Sequence, residues 1–511
     1  MKIKILIIEA EVEIEGVKAF YEKIFKNLNY ECDFVAHTPD INVKDYNEFD
    51  ILITDISYGM AMSDSTGLVI ASKAKQDYPN LFVITNTKEY DELTLHQITQ
   101  NLPEPDLLLN KSMFIEPIYK DYVTKQIRNN FKSNVLLKID REKSILSDFL
   151  RDNITDLETI IKKITFRTHN MESNILIDKA ILKPLISGFS GSEVYKMNLY
   201  TNKGLSCINT VLKTTNKLKD AEEEIKNYLE YVKWYLPYSW RPELIGYSFS
   251  KTLGVICYSF AYDNEKDFLS LTDYLLQKDF DKLSLTIEKI FKPNFQRWYH
   301  KSNIVVEKDS SLTDYYFNKW FSNRKHGDNL LQNIINEYFA KDDKNLIKDY
   351  SQNIGKYLFG NLSYVKYQTC ICHGDLNSNN ILISDDEQLT FIDFKDTKRG
   401  HVFEDFIVFE GAIRMNLNLD LIFSESLQLE EMLCNNIAVN SNKINTNGFS
   451  SNINNIREYA FETFKDEEKR YYFYGLALYC FRLLRIRDMK EWQYKQIIAC
   501  LISAMKKIKI D

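Results

Sequence analysis

Residues 372–383 read CHGDLNSNNILI, and residues 389–394 read LTFIDF. The first segment has an acidic residue, Asp375, in a polar loop, and it has an amide, Asn380, five residues later. Asp393 follows the next apolar run, so a β-hairpin would return it to the loop. The spacing therefore predicts that these three side chains converge on one centre.

Two carboxylates and an amide at one centre suit phosphoryl transfer. The reaction needs a group that accepts or orients the attacking hydroxyl, and it needs hard oxygen ligands for Mg²⁺ beside the β- and γ-phosphates. Asp375 is predicted to take the first role, and Asn380 and Asp393 are predicted to bind the metal. The alternative is an ordinary turn, because Asp and Asn favour turns. The order and spacing of the two segments favour the catalytic interpretation.

The paired segments resemble the aminoglycoside phosphotransferase and choline kinase branch of the protein-kinase-like fold. In that family the catalytic loop reads H-G-D-x-x-x-x-N, and the metal segment reads I-D-F or I-D-W. The resemblance covers about residues 183–511 and implies a two-lobed domain that uses ATP with Mg²⁺. His373 is expected to support the loop rather than to ionise, and Asp405 is expected to be structural, anchoring the loop after the metal segment.

The same resemblance implies a glycine-rich hairpin over the nucleotide phosphates, upstream of the catalytic loop. Residues 186–196, with the sequence ISGFSGSEVYK, fit this part. Glycine lets backbone N–H groups approach phosphate oxygens closely. The residues expected to bind the nucleotide here are Gly188, Ser190, Gly191 and Ser192.

A lysine on the next strand and a glutamate on the following helix complete the implied nucleotide site. Lys213 ends an extended apolar run at residues 210–214. Glu224 shares an inward helical face with Tyr228, so it is the expected partner of Lys213, and Glu223 is the runner-up. A solvated strand end and an exposed helix face are the alternatives for the lysine and the glutamate.

The first 131 residues have a different pattern, because short apolar runs alternate with segments of helical periodicity. The predicted strands are residues 3–8, 34–36, 51–56, 82–84 and 107–109. Alternation of strands and helices predicts a doubly wound parallel sheet. Ligands of such sheets collect at the carboxyl ends of the strands, so the side chains at these ends are expected to meet in one crevice.

This region resembles a response-regulator receiver domain over about residues 2–128. By the resemblance Asp55 is the phospho-acceptor, Glu9 a metal-side acid, Thr87 the switch hydroxyl and Lys111 the lysine that pairs with the phosphate. The family usually has two adjacent acids where Glu9 stands alone, and a proline where Ser112 stands. A phosphorylated receiver and a degenerate receiver that only docks a partner remain equal alternatives.

The expected fold class is an α/β domain followed by an α+β domain. The predicted domains are a receiver-like domain (1–130), an amphipathic helical connector (131–173), a kinase-like N-lobe (174–265) and a helical C-lobe (266–511). The connector would serve as a spacer or as a helix pair in a homodimer, for which the receiver-like domain is the alternative contact. The acids between Asp420 and Glu431 would attract a cationic amine or, as favoured here, form a solvated helix face.

The composition excludes several classes of protein. Lys and Arg number 65 against 72 Asp and Glu, and the formal charge of −7 argues against a dedicated nucleic-acid binder. No apolar run approaches the ~20 residues of a membrane span, and no signal peptide is predicted. Eight cysteines in 511 residues do not make a disulfide framework, so a cytoplasmic location is expected.

The sequence therefore predicts an ATP-dependent phosphotransferase that moves the γ-phosphate to a hydroxyl of a small molecule or a protein. A receiver-like domain would regulate it, with a phosphodonor or a docking partner acting there. The pattern at residues 188–191 and 405–410 is similar to kinase-like domains of bacterial signalling and defence systems. A non-catalytic nucleotide-binding adaptor and a nucleotidyl transferase on the same fold are the alternatives.

Overall fold

The structure is a computed structural model, and its description covers the greater part of the chain. The described residues are 3–9, 16–25, 30–36, 49–56, 66–77, 81–87, 105–110, 116–132, 137–168, 177–185, 192–201, 206–250, 252–259, 269–294, 297–300, 304–321, 327–341, 343–345, 347, 358, 365–384, 386–435, 447–486 and 489–508. The chain divides into two compact units. The first consists of Met1–Glu222 and Glu243–Phe260, and the second of Glu223–Pro242 and Ala261–Asp511.

The first unit begins with a five-stranded parallel sheet of order β2-β1-β3-β4-β5. Its strands are β1 (Ile3–Glu9), β2 (Tyr30–Ala36), β3 (Ile51–Asp55), β4 (Phe82–Thr87) and β5 (Leu107–Asn110). The helices are α1 (Val17–Phe25), α2 (Thr66–Asp77) and α3 (Glu116–Lys132). The predicted parallel α/β arrangement is confirmed, because every predicted strand overlaps an observed one. The closer resemblance to a receiver stays a prediction.

The alternation of side chains along a strand gives this sheet two apolar faces. Ile5 and Ile7 of β1 pack with buried residues of α1 and α3, including Tyr21 and Tyr119. Leu6 and Ile8 face the other way and pack with two alanines of α2, Ala71 and Ala74. Helices therefore cover both faces, and the polar strand ends remain at the edge of the sheet.

A second sheet in the same unit has six strands in the order β10-β11-β9-β8-β7-β6. They are β6 (Lys138–Ile139), β7 (Ile177–Pro184), β8 (Glu193–Thr201), β9 (Ser206–Thr215), β10 (Leu244–Phe249) and β11 (Gly254–Ser259). Neighbouring strands are antiparallel except β6 and β7, which are parallel. The strand-rich pattern predicted from about residue 174 is thus present.

The predicted connector is helical, with α4 (Asp148–Asp152) and α5 (Ile154–Thr168). Its apolar side is packed within the chain, because Leu150, Leu157 and Ile161 belong to the same buried core as Leu182 and Met197 of the six-stranded sheet. The spacer alternative therefore does not describe this segment. Pairing of two copies through this segment stays a prediction.

The second unit is mainly helical and carries two three-stranded sheets, β12-β15-β16 and β13-β14-β17. The strands are β12 (Leu269–Ser270), β13 (Val305–Ser310), β14 (Val365–Cys372), β15 (Ile381–Ile383), β16 (Leu389–Phe391) and β17 (Lys398–His401). The helices, after α6 (Leu218–Asn227) at the unit boundary, are α7 (Leu271–Leu276), α8 (Phe280–Lys289), α9 (Leu312–Trp320), α10 (Gly327–Tyr338), α11 (Glu404–Asn416), α12 (Phe423–Cys434), α13 (Asn447–Thr463), α14 (Lys469–Leu483) and α15 (Glu491–Ile508).

An ionic cluster lies in the core of these helices. Arg457 donates to both carboxylate oxygens of Glu410, at 2.7 and 3.1 Å, and Tyr472 donates to the same carboxylate. Arg414 donates to both oxygens of Glu430 at 2.8 Å. All five side chains are buried. The prediction of a solvated acidic face is therefore wrong for Glu430, whose carboxylate is needed to neutralise a buried arginine.

No helix in the described part of the chain combines the length and the apolar character that crossing a membrane requires.

Candidate active site

The two segments quoted from the sequence form one hydrogen-bonded unit. Strands β15 and β16 pair as a hairpin, with Ile381 opposite Phe391. Beyond the hairpin the pairing continues, because the backbone N–H of Ile392 donates to the carbonyl oxygen of Asn380 at 3.0 Å. Asp393 is the next residue, so the hairpin returns the metal segment to the end of the catalytic loop as predicted.

Two amides hold the carboxylate of Asp375. Asn377 Nδ2 donates to Asp375 Oδ2 at 3.0 Å, and Asn380 Nδ2 donates to the same oxygen at 3.3 Å and to the Asp375 carbonyl oxygen at 2.8 Å. Asp375 itself is only partly buried. Its orientation is therefore fixed by neutral donors, and within the described ranges no Lys, Arg or His side chain forms a hydrogen bond or an ion pair with its carboxylate.

His373 supports the loop from inside the fold, as expected from the sequence. Its ring is buried, and Nε2–H donates to the carbonyl oxygen of Ile392 at 3.1 Å. Burial lowers the pKa of His373, which favours the neutral ring. A neutral ring that donates from Nε2 ties the catalytic loop to the metal segment and is not placed to titrate in catalysis.

Asp405, in the first turn of α11, anchors the catalytic loop. Its carboxylate oxygens accept the backbone N–H groups of His373 and Gly374, each at 2.8 Å, and Oδ2 also accepts the Tyr299 hydroxyl at 2.9 Å. From the sequence, Asp405 was expected to anchor the loop that follows the metal segment. In the structure Asp405 instead holds the loop that precedes the metal segment, because the end of β14 lies beside the start of α11.

Gly374 is required by the geometry of the loop. Its φ of +80° lies in the left-handed region, which favours glycine. A Cβ at this position would overlap the carbonyl oxygen of Asp396. The glycine between His373 and Asp375 thus lets the chain turn tightly against residue 396.

The pKa of Asp375 is influenced by two neighbouring acids and by one cation that acts in the opposite direction. Burial is the main cause that raises the pKa of Asp375 above its usual value, and the charges of Asp393 and Asp396 act in the same direction. Arg482 lowers it. Asp393 has a φ of +63°, an uncommon backbone conformation for a residue other than glycine and one that is enriched at functional sites.

Two basic residues were not identified from the sequence, one that lies at this loop and one whose charge acts on Asp375. Lys319, on α9, pairs with Glu404 and would lie within 2.9 Å of a Cβ added at Gly374. Arg482, near the end of α14, lies over the ring of Tyr479 at 5.5 Å from its centroid. Neither is close to Asp375 in sequence, so no local motif could have shown their position.

The ligand set predicted for Mg²⁺ fits a nucleotide-bound ion. Asn380 uses its amide nitrogen for Asp375, which leaves its amide oxygen as the atom that can face a cation. Mg²⁺ bound with a nucleotide usually takes one or two protein carboxylates and completes its shell with phosphates and waters. In the described ranges, no three His, Cys, Asp or Glu side chains form a protein-only metal site.

The residues predicted to bind the nucleotide are described only in part. Gly188, Ser190 and Gly191 lie outside the described residues, and Ser192 is buried at the start of β8. Lys213, on β9, is 8% exposed. Its position as a solvated strand end is therefore excluded, and its contact with phosphate stays a prediction.

Of the two candidate glutamates on α6, Glu224 is 2% exposed and Glu223 is exposed. Tyr228 is buried on the same side as Glu224, as the helical periodicity predicted. The exposed-face alternative is thus excluded for Glu224. Its pairing with Lys213 stays a prediction.

At the carboxyl edge of the parallel sheet, Glu9 and Asp55 end neighbouring strands. Glu9 is 2% exposed and accepts the Tyr21 hydroxyl at 3.2 Å, and Asn86 Nδ2 donates to the same hydroxyl oxygen at 3.0 Å. Asp55 is also buried, and it stands directly opposite Asn86 in register. Asn86 was not predicted from the sequence, because the resemblance to receivers singles out Thr87, the next residue in the chain.

The other two residues predicted at this edge are not described. Lys111 and the side chain of Thr87 lie outside the described residues. The carboxylate of Glu9 is nearly inaccessible to solvent, and it accepts the hydroxyl of Tyr21. The role of Glu9 as a metal-side acid stays a prediction.

Residues 321–415 match a sequence model described as the phosphotransferase enzyme family. This segment is similar to phosphotransferases. It contains the catalytic loop, the metal segment and Asp405, which were described above from their geometry. No curated protein has a sequence that matches the chain.

Several solved structures are weakly similar. A thermostable mutant of an aminoglycoside phosphotransferase, in a ternary complex with ADP and hygromycin B, is 10% identical with a TM-score of 0.36, over 65% of this chain and 95% of that one. A glucosamine kinase with glucosamine, ADP and inorganic phosphate is 9% identical with a TM-score of 0.35, over 64% and 94%. An ethanolamine kinase of Plasmodium vivax is 12% identical with a TM-score of 0.32, over 72% and 99%.

Proposed function

We propose that this protein is an ATP-dependent phosphotransferase that moves the γ-phosphate of ATP to a hydroxyl group of a small molecule. One observation carries the proposal. Asp375, Asn380 and Asp393 belong to a single hydrogen-bonded loop and hairpin, inside the segment that matches the phosphotransferase enzyme family. Phosphoryl transfer depends mainly on positioning and on charge stabilisation, which such a loop can supply.

Asp375 would accept or orient the proton of the attacking hydroxyl. Asn377 and Asn380 hold its carboxylate through neutral amides, and no described residue forms a salt bridge that would cancel its charge. Burial raises the pKa of Asp375, and a more basic carboxylate is a better proton acceptor. Asn380 and Asp393 would hold Mg²⁺, which neutralises negative charge on the phosphates when bound.

The nucleotide would be bound by residues Gly188, Ser190, Gly191 and Ser192 together with Lys213 and Glu224. The burial of Lys213 and Glu224 supports this assignment, since a charged side chain is rarely buried without a partner. In the proposed role Lys213 contacts the α- and β-phosphates and Glu224 orients it.

Label transfer from ATP tests the proposal directly. ATP labelled at the γ-position should give labelled acceptor, and ATP labelled at the α-position should not. Transfer of the α-label would show a nucleotidyl transferase. ATP binding with no transfer of either label, across a broad set of hydroxylated acceptors, would show the non-catalytic adaptor and contradict the proposal.

We also propose that the N-terminal parallel sheet regulates this activity through Asp55. The position of Asp55 at the carboxyl end of β3 supports the idea. The test compares the full chain with Asp55→Ala, with and without acetyl phosphate. Regulation predicts a change in ATP turnover that Asp55→Ala removes. If wild type and Asp55→Ala have equal ATP turnover under both conditions and no phosphate is found on Asp55, the N-terminal domain would be a docking module only.

A further inference from the structure

A cavity of about 690 Å³ opens on the six-stranded sheet of the first unit. Its walls are the turn after β6, strand β7 and the end of β8. The lining includes Lys143, Asp178, Lys179, Ile181, Lys183 and Tyr200. A volume of this size suits a small organic molecule. The described members of the nucleotide site, Ser192, Lys213 and Glu224, are not in this lining, so the cavity is a separate candidate site.

The cavity lies on the face of the sheet opposite to α4 and α5. Because side chains alternate along a strand, Lys179, Ile181 and Lys183 share one face of β7. The residues between them belong to the buried core that contains the apolar side of α4 and α5. On β8, Tyr200 stands directly opposite Lys179 in register, so its ring lies beside the stem of the lysine. Ile181 and the Tyr200 ring thus give the cavity an apolar part next to its charges.

The turn that carries Lys143 is fixed against β7. The carboxylate of Asp140 accepts the backbone N–H of Lys143 at 3.2 Å and pairs with the ammonium of Lys179 at 2.7 Å. Two hydrogen bonds of 3.0 Å join the residues after the turn to the backbone of Leu182 on β7. The fold itself therefore brings the Lys143 backbone beside the strand that carries Lys179 and Lys183.

The lining of the cavity carries an excess of positive charge. Three lysines stand with one acid, Asp178. Asp140 neutralises Lys179, but neither Lys143 nor Lys183 forms an ion pair with a described residue. The uncompensated charge attracts anions and disfavours cations. A phosphate group carries about −1.5 to −2 charge at pH 7, so it would gain most from two such ammonium groups.

We propose that this cavity binds a phosphorylated small molecule that also carries a ring with hydroxyl groups, such as a nucleoside monophosphate. The phosphate would contact Lys143 and Lys183, because the ammonium group is a compact charge with three donors. The ring would lie on Tyr200 and Ile181, and Asp178 would accept a hydroxyl. The inference goes beyond the proposed phosphotransferase function and does not depend on it.

Three probes separate the charge from the ring. Inorganic phosphate carries the charge alone, uridine carries the ring and hydroxyls alone, and uridine monophosphate carries both. Binding of each to the full chain is measured by calorimetry without Mg²⁺. We expect uridine monophosphate to bind most tightly, phosphate to bind more weakly and uridine not to bind. Binding of the two charged probes should weaken as the salt concentration rises, because both lysines that carry the effect are exposed.

Variants locate the binding. Lys143→Gln and Lys183→Gln should each weaken the binding of uridine monophosphate about tenfold or more, the loss expected for one hydrogen bond to a charged group. Lys138→Gln is the matched control, since Lys138 is exposed on β6 next to Lys179 in register but does not line the cavity. Its binding should equal that of wild type. Lys213→Met should also keep the binding, because Lys213 belongs to the nucleotide site.

A phosphate of the same kind could be presented by a lipid headgroup, and vesicles distinguish the two sources. The full chain is sedimented with phosphatidylcholine vesicles, with and without phosphatidic acid. Sedimentation only with phosphatidic acid, lost in Lys143→Gln and Lys183→Gln, would assign the site to a lipid phosphate. If the chain stays in solution while uridine monophosphate binds, the site takes a soluble ligand.

Four results would overturn the inference. Uridine binds as tightly as its monophosphate, or no phosphate-bearing probe binds, in solution or on vesicles. Neither Lys143→Gln nor Lys183→Gln weakens the binding, which would remove the lysines from the site. Lys213→Met abolishes the binding while both cavity variants keep it, which would place uridine monophosphate in the nucleotide site.

Discussion

The catalytic loop and the carboxyl edge of the N-terminal sheet were predicted in the same way, from acids at the ends of strands, and they differ in what surrounds those acids. Asp375 is partly exposed and is held by amides, with its loop fixed from behind by Asp405. Glu9 is enclosed and accepts a tyrosine hydroxyl. The difference shows that the partners of an acid, rather than its place after a strand, set how accessible its carboxylate is.

The largest effect is expected from the framework that supports the catalytic loop. Arg457→Met should lower the free energy of unfolding of the second unit by about 3–5 kcal/mol, because Glu410 would be left buried without its main cation. Chemical denaturation measures the loss. Lys278→Met, which breaks an exposed pair with Asp420, is the control and should cost less than about 1 kcal/mol. Equal costs would show that the buried cluster is dispensable.

The same cluster gives a pH dependence of known sign. Burial raises the pKa of Glu410, but Arg457 and Arg414 more than offset this, and the net pKa lies below its ordinary value. A carboxyl with a depressed folded-state pKa stabilises the fold above its unfolded pKa, and this contribution is lost as the pH falls through the folded value. Arg457→Met should therefore be less sensitive to acid than wild type in the same denaturation experiment.

Asp405→Asn tests the anchor of the catalytic loop. One oxygen that accepts a backbone N–H would become an amide group that cannot accept it, at a cost of about 2–3 kcal/mol. ATP turnover should fall because residues 373–375 lose their fixed position, and hydrogen exchange at the amides of His373 and Gly374 should increase. If hydrogen exchange and ATP turnover are both unchanged, Asp405 does not fix the position of the catalytic loop. Asp420→Asn, at an exposed site, is the matched control.

A double-mutant cycle tests the proposed pairing of Lys213 with Glu224. If the two act as one unit in ATP binding, the effects of Lys213→Met and Glu224→Gln on Mg-ATP affinity should be non-additive by about 1–3 kcal/mol. Glu223→Gln is the control, because Glu223 is exposed on the same helix. Additive effects would show that Lys213 and Glu224 do not act as a pair in ATP binding, and that each is buried against some other partner.

The smallest effect is expected at the edge of the N-terminal sheet. Tyr21→Phe removes the hydroxyl shared by Glu9 and Asn86 and should destabilise this sheet by about 1 kcal/mol. Hydrogen exchange in β1 and β3 would report the loss, and ATP turnover should stay at the wild-type rate. Tyr238→Phe, at a ring that is 67% exposed, should change neither. A large loss of turnover in Tyr21→Phe would show that the two regions do not differ as described.

The parts that the sequence predicted well depend on local spacing. The hairpin that joins Asn380 to Asp393 and the parallel strands that end at Glu9 and Asp55 follow from periodicity within short segments. Helical periodicity also separated Glu224 from Glu223 correctly.

The parts that the sequence did not predict depend on contacts between distant segments. Tyr21 reaches Glu9 from the next helix, and Lys319 reaches the loop from more than fifty residues upstream. For the same reason, the apolar face of the connector did not reveal that the six-stranded sheet covers it. Periodicity shows which face is buried but not what buries it.

The most direct test of the central claim compares wild type with Asp375→Asn and Asp393→Asn in one experiment that measures both phosphoryl transfer and Mg-ATP affinity. Loss of the proton acceptor in Asp375→Asn should reduce turnover about 10²–10⁴-fold while Mg-ATP affinity is kept. Loss of a metal ligand in Asp393→Asn should weaken Mg-ATP binding as well as turnover. Wild-type turnover in both variants would contradict the assignment of this loop as the catalytic centre.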